Sequence, residues 1–250
     1  MFRIISAILL CVLTVLVHAS DEPGSDKPIR ILFIGNSLTM QNNLPAMLKA
    51  VAAEAKPVVK IETAMVAAGG YTLERHYNGD KALPKIQEGN WDYVVLQENS
   101  SGPVVAEKVE SMQKYMLLFD EAVKKNHAKA LLYMTWPLQK SPQDLEKISA
   151  VYNQLGKDLN ETVVPVGLAR ENALKADPNI NLYVKDGKHP TPAGTYLAAC
   201  TFFATLTKHS SKNLPSKIAD PLKAGKMLVD LTPEQAAFLQ GIADKTVLGN

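Results

Sequence analysis

Cysteine is nearly absent from this chain, which excludes a fold held together by a disulfide framework. The 250 residues include 2 cysteines, and Cys11 lies in an apolar N-terminal stretch. Cys200 lies in a segment of leucine, alanine and phenylalanine, residues 197–203. We therefore predict that Cys200 is a buried small hydrophobic residue and not a reactive thiol. With 46% hydrophobic residues, the chain can build one substantial core without disulfides.

An excess of charge of either sign is also missing. The chain has 27 Lys and Arg against 25 Asp and Glu, a net charge of +2, so we expect no nucleic-acid partner. No group of His, Cys and carboxylate residues has metal-ligand spacing. The pair Gly69-Gly70 belongs to neither a Walker motif nor a dinucleotide fingerprint. We therefore expect no metal and no cofactor, and the missing phosphate loop argues against a flavodoxin-like FMN binder.

The first residues have the composition of an export signal. Arg3 is followed by an almost wholly apolar run, residues 4–17, and by small residues at a cleavage-site spacing, residues 17–19. This run is short for a transmembrane span, although an uncleaved anchor is the alternative. We predict a signal peptide at 1–19, a linker at 20–28, a secreted or periplasmic location, and no stable membrane insertion after cleavage.

The remaining chain alternates short apolar runs with longer amphipathic stretches. The strand candidates are residues 29–34, 58–66, 93–97, 130–136 and 163–166. The helix candidates are residues 44–55, 83–88, 104–125, 142–159 and 191–207. This alternation predicts an α/β fold, a three-layer α/β/α sandwich with a five-stranded parallel sheet. Five strands fit the flavodoxin-like order 2-1-3-4-5, although spacing alone does not give the order.

We expect one domain over residues 29–250. Its tail, from Pro215 onward, shows no strand run. Thr232 and Pro233 form a good helix start, which predicts a C-terminal helical extension.

Ser37 is the candidate nucleophile. It follows the apolar run 30–34 and a turn at Gly35-Asn36, and open α/β sheets bind ligands at the carboxyl ends of their strands. A serine hydroxyl needs a base and an orienting acid. Asp186 and His189 are three residues apart before a helix start, so the carboxylate can hold one imidazole nitrogen while the other faces Ser37. The alternative is a loop Asp in an Asx turn beside an exposed His.

Two further strand ends offer hydrogen-bond donors for an oxyanion. Gly70 follows the second strand candidate, and a glycine lets a backbone N–H approach a substrate oxygen. Gln97 or Asn99, after the third strand candidate, could present a side-chain N–H. The alternatives are a plain tight turn and amides that only satisfy the loop backbone.

These four segments, in this order, resemble the blocks of the GDSL or SGNH hydrolase family. Gly-Asn-Ser-Leu at 35–38 is similar to the first block, and Gly-Tyr-Thr at 70–72 to the second. Glu98-Asn99 resembles part of the third, and Asp-Gly-Lys-His at 186–189 matches the last. The resemblance spans residues 29–208 and implies the SGNH hydrolase fold and a serine esterase without a cofactor.

The resemblance also assigns roles. It implies that Ser37 is the nucleophile, with His189 as base and Asp186 orienting it, and that Gly70 donates a backbone N–H. Asn36 replaces the usual aspartate, and the third block lacks its usual Gly-x-Asn-Asp. Some carbohydrate acetylesterases of this superfamily have Gln-Gly-Glu there, which Gln97-Glu98 resembles, so Gln97 and Asn99 compete for the second oxyanion position.

The function predicted from these residues is an exported serine hydrolase that cleaves carboxylic esters, with deacetylation of a carbohydrate implied by the resemblance. The alternatives are a lipase or lysophospholipase and a non-catalytic polysaccharide-binding module on the same fold. Two residues outside the blocks carry weaker expectations. His76 is predicted to be a solvated loop residue, with a position lining the cleft as the alternative, and Trp136 either walls the substrate pocket or packs in the core.

Overall fold

A five-stranded parallel sheet organises the computed structural model, which describes residues 27–249. The predicted signal peptide, 1–19, and residues 20–26 of the predicted linker lie outside the described residues. The strands, in chain order, are β1 Ile29–Gly35, β2 Ile61–Ala67, β3 Tyr93–Leu96, β4 Lys129–Tyr133 and β5 Thr162–Val164. They lie in the order β2-β1-β3-β4-β5, which confirms the predicted five-stranded sheet and its order.

Helices cover both faces of the sheet, as the near-continuous apolar strands require. The helices are α1 Ser37–Met40, α2 Leu44–Ala53, α3 Leu73–Tyr77, α4 Ala82–Gln87, α5 Ala106–Lys125, α6 Leu145–Leu159, α7 Val166–Ala176, α8 Pro192–Thr207 and α9 Pro233–Leu248. Ile31 and Phe33 of β1 point into a core with α2, α7, α8 and α9. Leu32 and Ile34 point the opposite way, into a core with α3, α4, α5 and α6. The period-2 alternation of a strand therefore separates the two layers.

The tail corrects one expectation. It contains a two-stranded antiparallel ribbon, β6 Lys217–Ala219 with β7 Met227–Asp230, where no strand was expected. Each strand is only three or four residues long, too short for an alternating pattern to stand out, and both contribute buried side chains to the α2–α8 core. Helix α9 begins as predicted, with Thr232 as N-cap of a capping box that Gln235 completes.

Parallel strands bring their carboxyl ends to one edge, and this edge holds the site. In the sheet register, Gly35 lies beside Ala67, and Ile34 lies beside Leu96. The segments that follow β1, β2 and β3 therefore emerge next to one another. Within residues 27–249, no helix has both the length and the apolarity that crossing a membrane requires.

Candidate active site

Ser37 is the first residue of α1, immediately after β1. Asn36 caps this short helix, because its Oδ1 accepts a hydrogen bond from the Leu38 N–H at 3.1 Å. The turn is tight: a Cβ on Gly35 would lie 2.6 Å from both Gln97 Oε1 and Thr39 Oγ1. Only glycine therefore fits here, and the turn presents Ser37 half-buried at the edge of the sheet.

Asp186, His189 and Ser37 form one hydrogen-bonded chain. His189 Nε2 lies 2.8 Å from Ser37 Oγ, and His189 Nδ1 lies 2.5 Å from Asp186 Oδ2. The carboxylate accepts the Nδ1 proton, which leaves Nε2 as the acceptor for the serine hydroxyl. The structure thus brings together the three residues that the sequence proposed as nucleophile, base and orienting acid.

The turn that holds Asp186 fixes its charge. Its carboxylate accepts the His189 side-chain N–H and the backbone N–H groups of Lys188 and His189, at 2.8 and 2.9 Å for the two backbone bonds. These bonds, that of the His189 side chain first, lower the pKa of Asp186 to about 2. The side chain is exposed, yet it is ionised at neutral pH and able to stabilise an imidazolium.

A backbone bridge and buried aromatic residues hold the His189 turn from behind. Tyr183 and Pro190 form an isolated antiparallel bridge, and the Val184 N–H donates to the His189 carbonyl at 3.0 Å. Trp136 Nε1 donates to the Lys188 carbonyl at 3.0 Å. Trp136 is 2% exposed, so it packs in the core, which is one of its two expected positions, and supports the turn.

Gly70 and Asn99 approach each other in the segments that follow β2 and β3. Gly70 has a φ of +72°, a left-handed conformation that favours glycine, and it is exposed. Asn99 Nδ2 donates to the Gly70 carbonyl at 3.4 Å, while its Oδ1 accepts the Ser101 N–H at 3.1 Å. Asn36 Nδ2 donates to the Tyr71 carbonyl at 3.0 Å. The segments after β1, β2 and β3 are therefore linked by hydrogen bonds around Ser37.

Gln97 does not occupy the expected oxyanion position, which corrects that alternative. Its side chain is fully buried, and its Oε1 accepts from the Asn36 N–H at 2.8 Å and from Thr39 Oγ1 at 2.9 Å. Its Nε2 donates to the Glu98 carbonyl at 2.5 Å. The amide is used in shaping the nucleophile turn from within, so Asn99 is the amide that remains at the surface of the site.

Two further residues form hydrogen bonds within the site. His76 is 5% exposed, and its Nε2 lies 2.6 Å from the Gly35 carbonyl, so the prediction of a solvated loop residue is wrong. Burial lowers its pKa, so the neutral ring donates from Nε2. Its spacing from Leu73, which is also buried in α3, could have indicated an inward face. Asn42 links the nucleophile segment to the His189 turn through a 3.0 Å bond to the Pro190 carbonyl, and no sequence pattern pointed to it.

An open cavity of about 310 Å³ adjoins Asp186. It is lined by Leu138, Gln139, Lys140, Lys185, Asp186 and Gly187. Across residues 27–249, no cluster of three or more His, Cys, Asp or Glu side chains could hold a metal ion.

No family model and no curated protein matches this chain. Among solved structures, it is similar to a protein from Slackia heliotrinireducens that is provisionally described as an SGNH hydrolase. The identity is 30% over 72% of this chain and 100% of that chain, with a TM-score of 0.62.

Two other solved structures share less of the sequence. A protein from Bacteroides uniformis, of a family without a described function, is 19% identical over 89% of this chain and 95% of its own, with a TM-score of 0.67. The acetylxylan esterase Axe2 from Geobacillus stearothermophilus is 16% identical over 70% of this chain and 92% of its own, with a TM-score of 0.56. At these identities, the likeness shows the fold alone.

Proposed function

Because the chain belongs to the SGNH hydrolase family, we propose that it is an exported serine esterase that removes acetyl groups from a carbohydrate. The observation that carries this proposal is the hydrogen-bonded chain from Ser37 through His189 to Asp186 at the carboxyl end of β1. A serine placed within reach of a neutral imidazole, whose far nitrogen is held by a carboxylate, is equipped for acyl transfer.

In this proposal each step of ester hydrolysis is assigned to a side chain. Ser37 Oγ attacks the ester carbonyl while His189 Nε2 takes the hydroxyl proton, and Asp186 stabilises the imidazolium that forms. His189 then protonates the departing alkoxide as the carbon–oxygen bond of the ester breaks. A water, deprotonated by His189, attacks the acyl-enzyme, and the returning proton restores Ser37 as the free acid leaves.

The backbone and amide donors stabilise the negative oxygen of the two tetrahedral intermediates. We assign this role to the backbone N–H groups of Ser37 and Gly70 and to Asn99 Nδ2. Asn99 Nδ2 makes only a long 3.4 Å bond to the Gly70 carbonyl. An amide nitrogen carries two N–H groups, so a second one is free for substrate.

The substrate class rests on two supports. One similar structure is an acetylxylan esterase. The N-terminal sequence predicts export, and an exported enzyme can meet esters of polysaccharides outside the cell. Comparing p-nitrophenyl acetate with the octanoate separates this proposal from a lipase or lysophospholipase. A preference for acetate supports deacetylation, whereas a preference for octanoate would replace it with the lipase alternative.

The test of the catalytic assignment is Ser37→Ala. We expect hydrolysis of p-nitrophenyl acetate to fall by at least about 10³-fold, because no other group can form the acyl-enzyme. Ser141→Ala, a serine in the loop after β4 that does not contact His189, is the matched control and should keep wild-type activity. Circular dichroism checks that both variants are folded.

A fluorophosphonate probe tests the binding-module alternative independently. We expect it to label the wild-type protein and Ser141→Ala but not Ser37→Ala. A wild-type protein that stays unlabelled and does not hydrolyse esters, yet binds polysaccharide, would replace the esterase with the binding module.

A further inference from the structure

Glu98 is a buried carboxylate at the edge of the sheet, between Gln97 and Asn99. It is 3% exposed. Its Oε2 accepts the Leu73 backbone N–H at 3.0 Å, and its Oε1 accepts the Asn99 backbone N–H at 2.5 Å. Both oxygens are thus bonded to backbone.

The two N–H groups belong to the two segments that carry the oxyanion donors. Leu73 is the first residue of α3, which starts three residues after Gly70. Asn99 is itself one of the donors in the proposed function. One carboxylate therefore ties the backbone of the Gly70 segment to the backbone of the Asn99 segment, and Glu98 accepts from Leu73 across 25 positions in the sequence.

The surrounding residues make room for this carboxylate at an electrostatic cost. A Cβ on Gly102 would lie 2.5 Å from Glu98 Cγ, so a glycine is needed for the side chain to enter. The charged and titratable groups that face Glu98 are Glu74 on α3, Lys108 on α5 and the neutral Tyr152 phenol on α6. Burial, the main cause, raises the pKa of Glu98 to about 6.

A Gln would avoid that cost but could not replace the carboxylate. An ionised carboxylate is acceptor-only and satisfies both N–H groups at once, whereas a carboxamide offers one oxygen and turns an N–H₂ toward the other donor. A protonated carboxyl group has the same defect, because its O–H faces one of the two backbone N–H groups. The bridge therefore needs the ionised form.

We propose that Glu98 is a positioning residue of the oxyanion site, which fixes the Gly70 and Asn99 segments in the spacing that the tetrahedral intermediate requires. This inference rests on the proposed function, since it takes Gly70 and Asn99 as the oxyanion donors. Glu98 touches no reacting atom and acts only through the two backbone N–H groups that it accepts. Loss of Glu98 should therefore lower kcat more than it changes KM, because the donors act most strongly in the transition state.

The test is Glu98→Gln in the full chain, with p-nitrophenyl acetate as substrate. We expect kcat to fall about 10- to 100-fold, as for a donor displaced by a fraction of an ångström to 1 Å, while KM changes less than about threefold. Glu74→Gln, an exposed carboxylate on α3, is the matched control for loss of a nearby negative charge and should keep kcat within about twofold of wild type.

A pH profile separates positioning from a merely structural role. In the wild type, kcat should fall more steeply below about pH 6 than in Glu98→Gln, because Glu98 takes up a proton there that the variant cannot. The wild-type measurement stands even if the variant does not fold.

Two outcomes would overturn the inference. One is a folded Glu98→Gln variant with kcat within about twofold of wild type. The other is a wild-type kcat that does not decrease, or decreases no more steeply than that of Glu98→Gln, as pH falls through about 6. Either result, obtained with a wild-type enzyme that hydrolyses the ester and loses activity on Ser37→Ala, defeats the role of Glu98 alone. A wild-type protein that hydrolyses no ester would instead defeat the proposed function.

Discussion

Two carboxylates at the edge of the sheet that holds Ser37 are held differently: one is exposed and bonded within its own turn, and the other is buried and bridges two distant segments. Asp186 accepts only from residues two and three positions ahead of it, and these bonds lower its pKa to about 2. Glu98 accepts from a neighbouring residue and from Leu73, and burial raises its pKa to about 6. The two acids lie in loops at the same edge of the sheet, and their pKa values are shifted in opposite directions.

This difference shows how the site divides its tasks. The Asp186 turn needs no deep burial, because a short local loop with three converging N–H groups stabilises its charge in water. The Glu98 loop needs a fixed spacing between two segments, and a buried group with no freedom to move supplies it. The proposed base is thus positioned by local structure, and the proposed oxyanion donors are positioned by the packing of the sheet and the helices.

The largest effect is expected from Asp186→Asn, which tests the local side of this comparison. The Asn keeps an oxygen for the backbone N–H groups, but its N–H₂ faces His189 Nδ1 and favours the tautomer in which Nε2 carries the proton. We expect kcat to fall about 10³-fold with little change in the free energy of unfolding. Steady-state kinetics and urea unfolding measure the two effects.

Asp220→Asn is the control for this change, because Asp220 also accepts a backbone N–H two residues ahead, that of Leu222 at 2.9 Å, in the ribbon far along the chain. It should leave kcat unchanged. A loss of less than tenfold in Asp186→Asn would mean that the exposed carboxylate does not set the tautomer of His189.

The same division explains what the sequence could predict. The pair Asp186 and His189 lies three residues apart, just before a marked helix start, so its spacing was enough to suggest that the two side chains interact. The five strands followed from short apolar runs, since buried parallel strands are apolar on both faces. In each of these cases the signal is local.

The remaining features depend on contacts that no local pattern contains. Gln97 and Asn99 are two amides in one loop, and only the path of the chain decides that the first enters the interior under Asn36 while the second stays at the surface. His76 was misread for the same reason, because its carbonyl partner, Gly35, lies 41 positions away. The β6–β7 ribbon was missed because its strands are short.

The next largest effects are expected from two alanine variants in the loop after β3, which test the placement of its two amides. Asn99→Ala should lower kcat about 10²-fold, as the loss of one oxyanion donor does, with a change of less than about 1 kcal/mol in the free energy of unfolding. Gln97→Ala should instead lower the free energy of unfolding by about 3 kcal/mol, because it leaves the buried Asn36 N–H and Thr39 hydroxyl without their acceptor.

The two variants control for each other, since they remove similar side chains from the same loop. Enzyme kinetics and urea unfolding on both proteins provide the measurement. Near-normal kcat in Asn99→Ala, together with unchanged stability in Gln97→Ala, would contradict the placement of both amides and return Gln97 to the oxyanion position.

The smallest effect concerns stability as a function of pH, where the two carboxylates should act with opposite signs. The native state keeps Glu98 protonated up to about pH 6, whereas the unfolded chain releases that proton near its ordinary value of 4.5. Between these values the native state binds more protons, so the contribution of Glu98 to the free energy of unfolding decreases as pH rises, by at most about 2 kcal/mol. Asp186 behaves conversely, and its contribution is lost as pH falls from its ordinary value of 3.8 toward 2.

Urea unfolding of the wild type, Glu98→Gln and Asp186→Asn between pH 3 and pH 7 measures both signs. From pH 4.5 to 7, Glu98→Gln should gain stability relative to the wild type, because it has no buried group to ionise, whereas Asp186→Asn should keep a constant difference over that range. Below pH 4 the difference in stability between Glu98→Gln and the wild type should stay constant, and only the difference between Asp186→Asn and the wild type should shrink. A difference in the free energy of unfolding between Glu98→Gln and the wild type that does not change with pH would mean that ionising the buried carboxylate does not destabilise the native state. Asp186 and Glu98 would then differ in their burial and partners but not in the sign of their effect on stability.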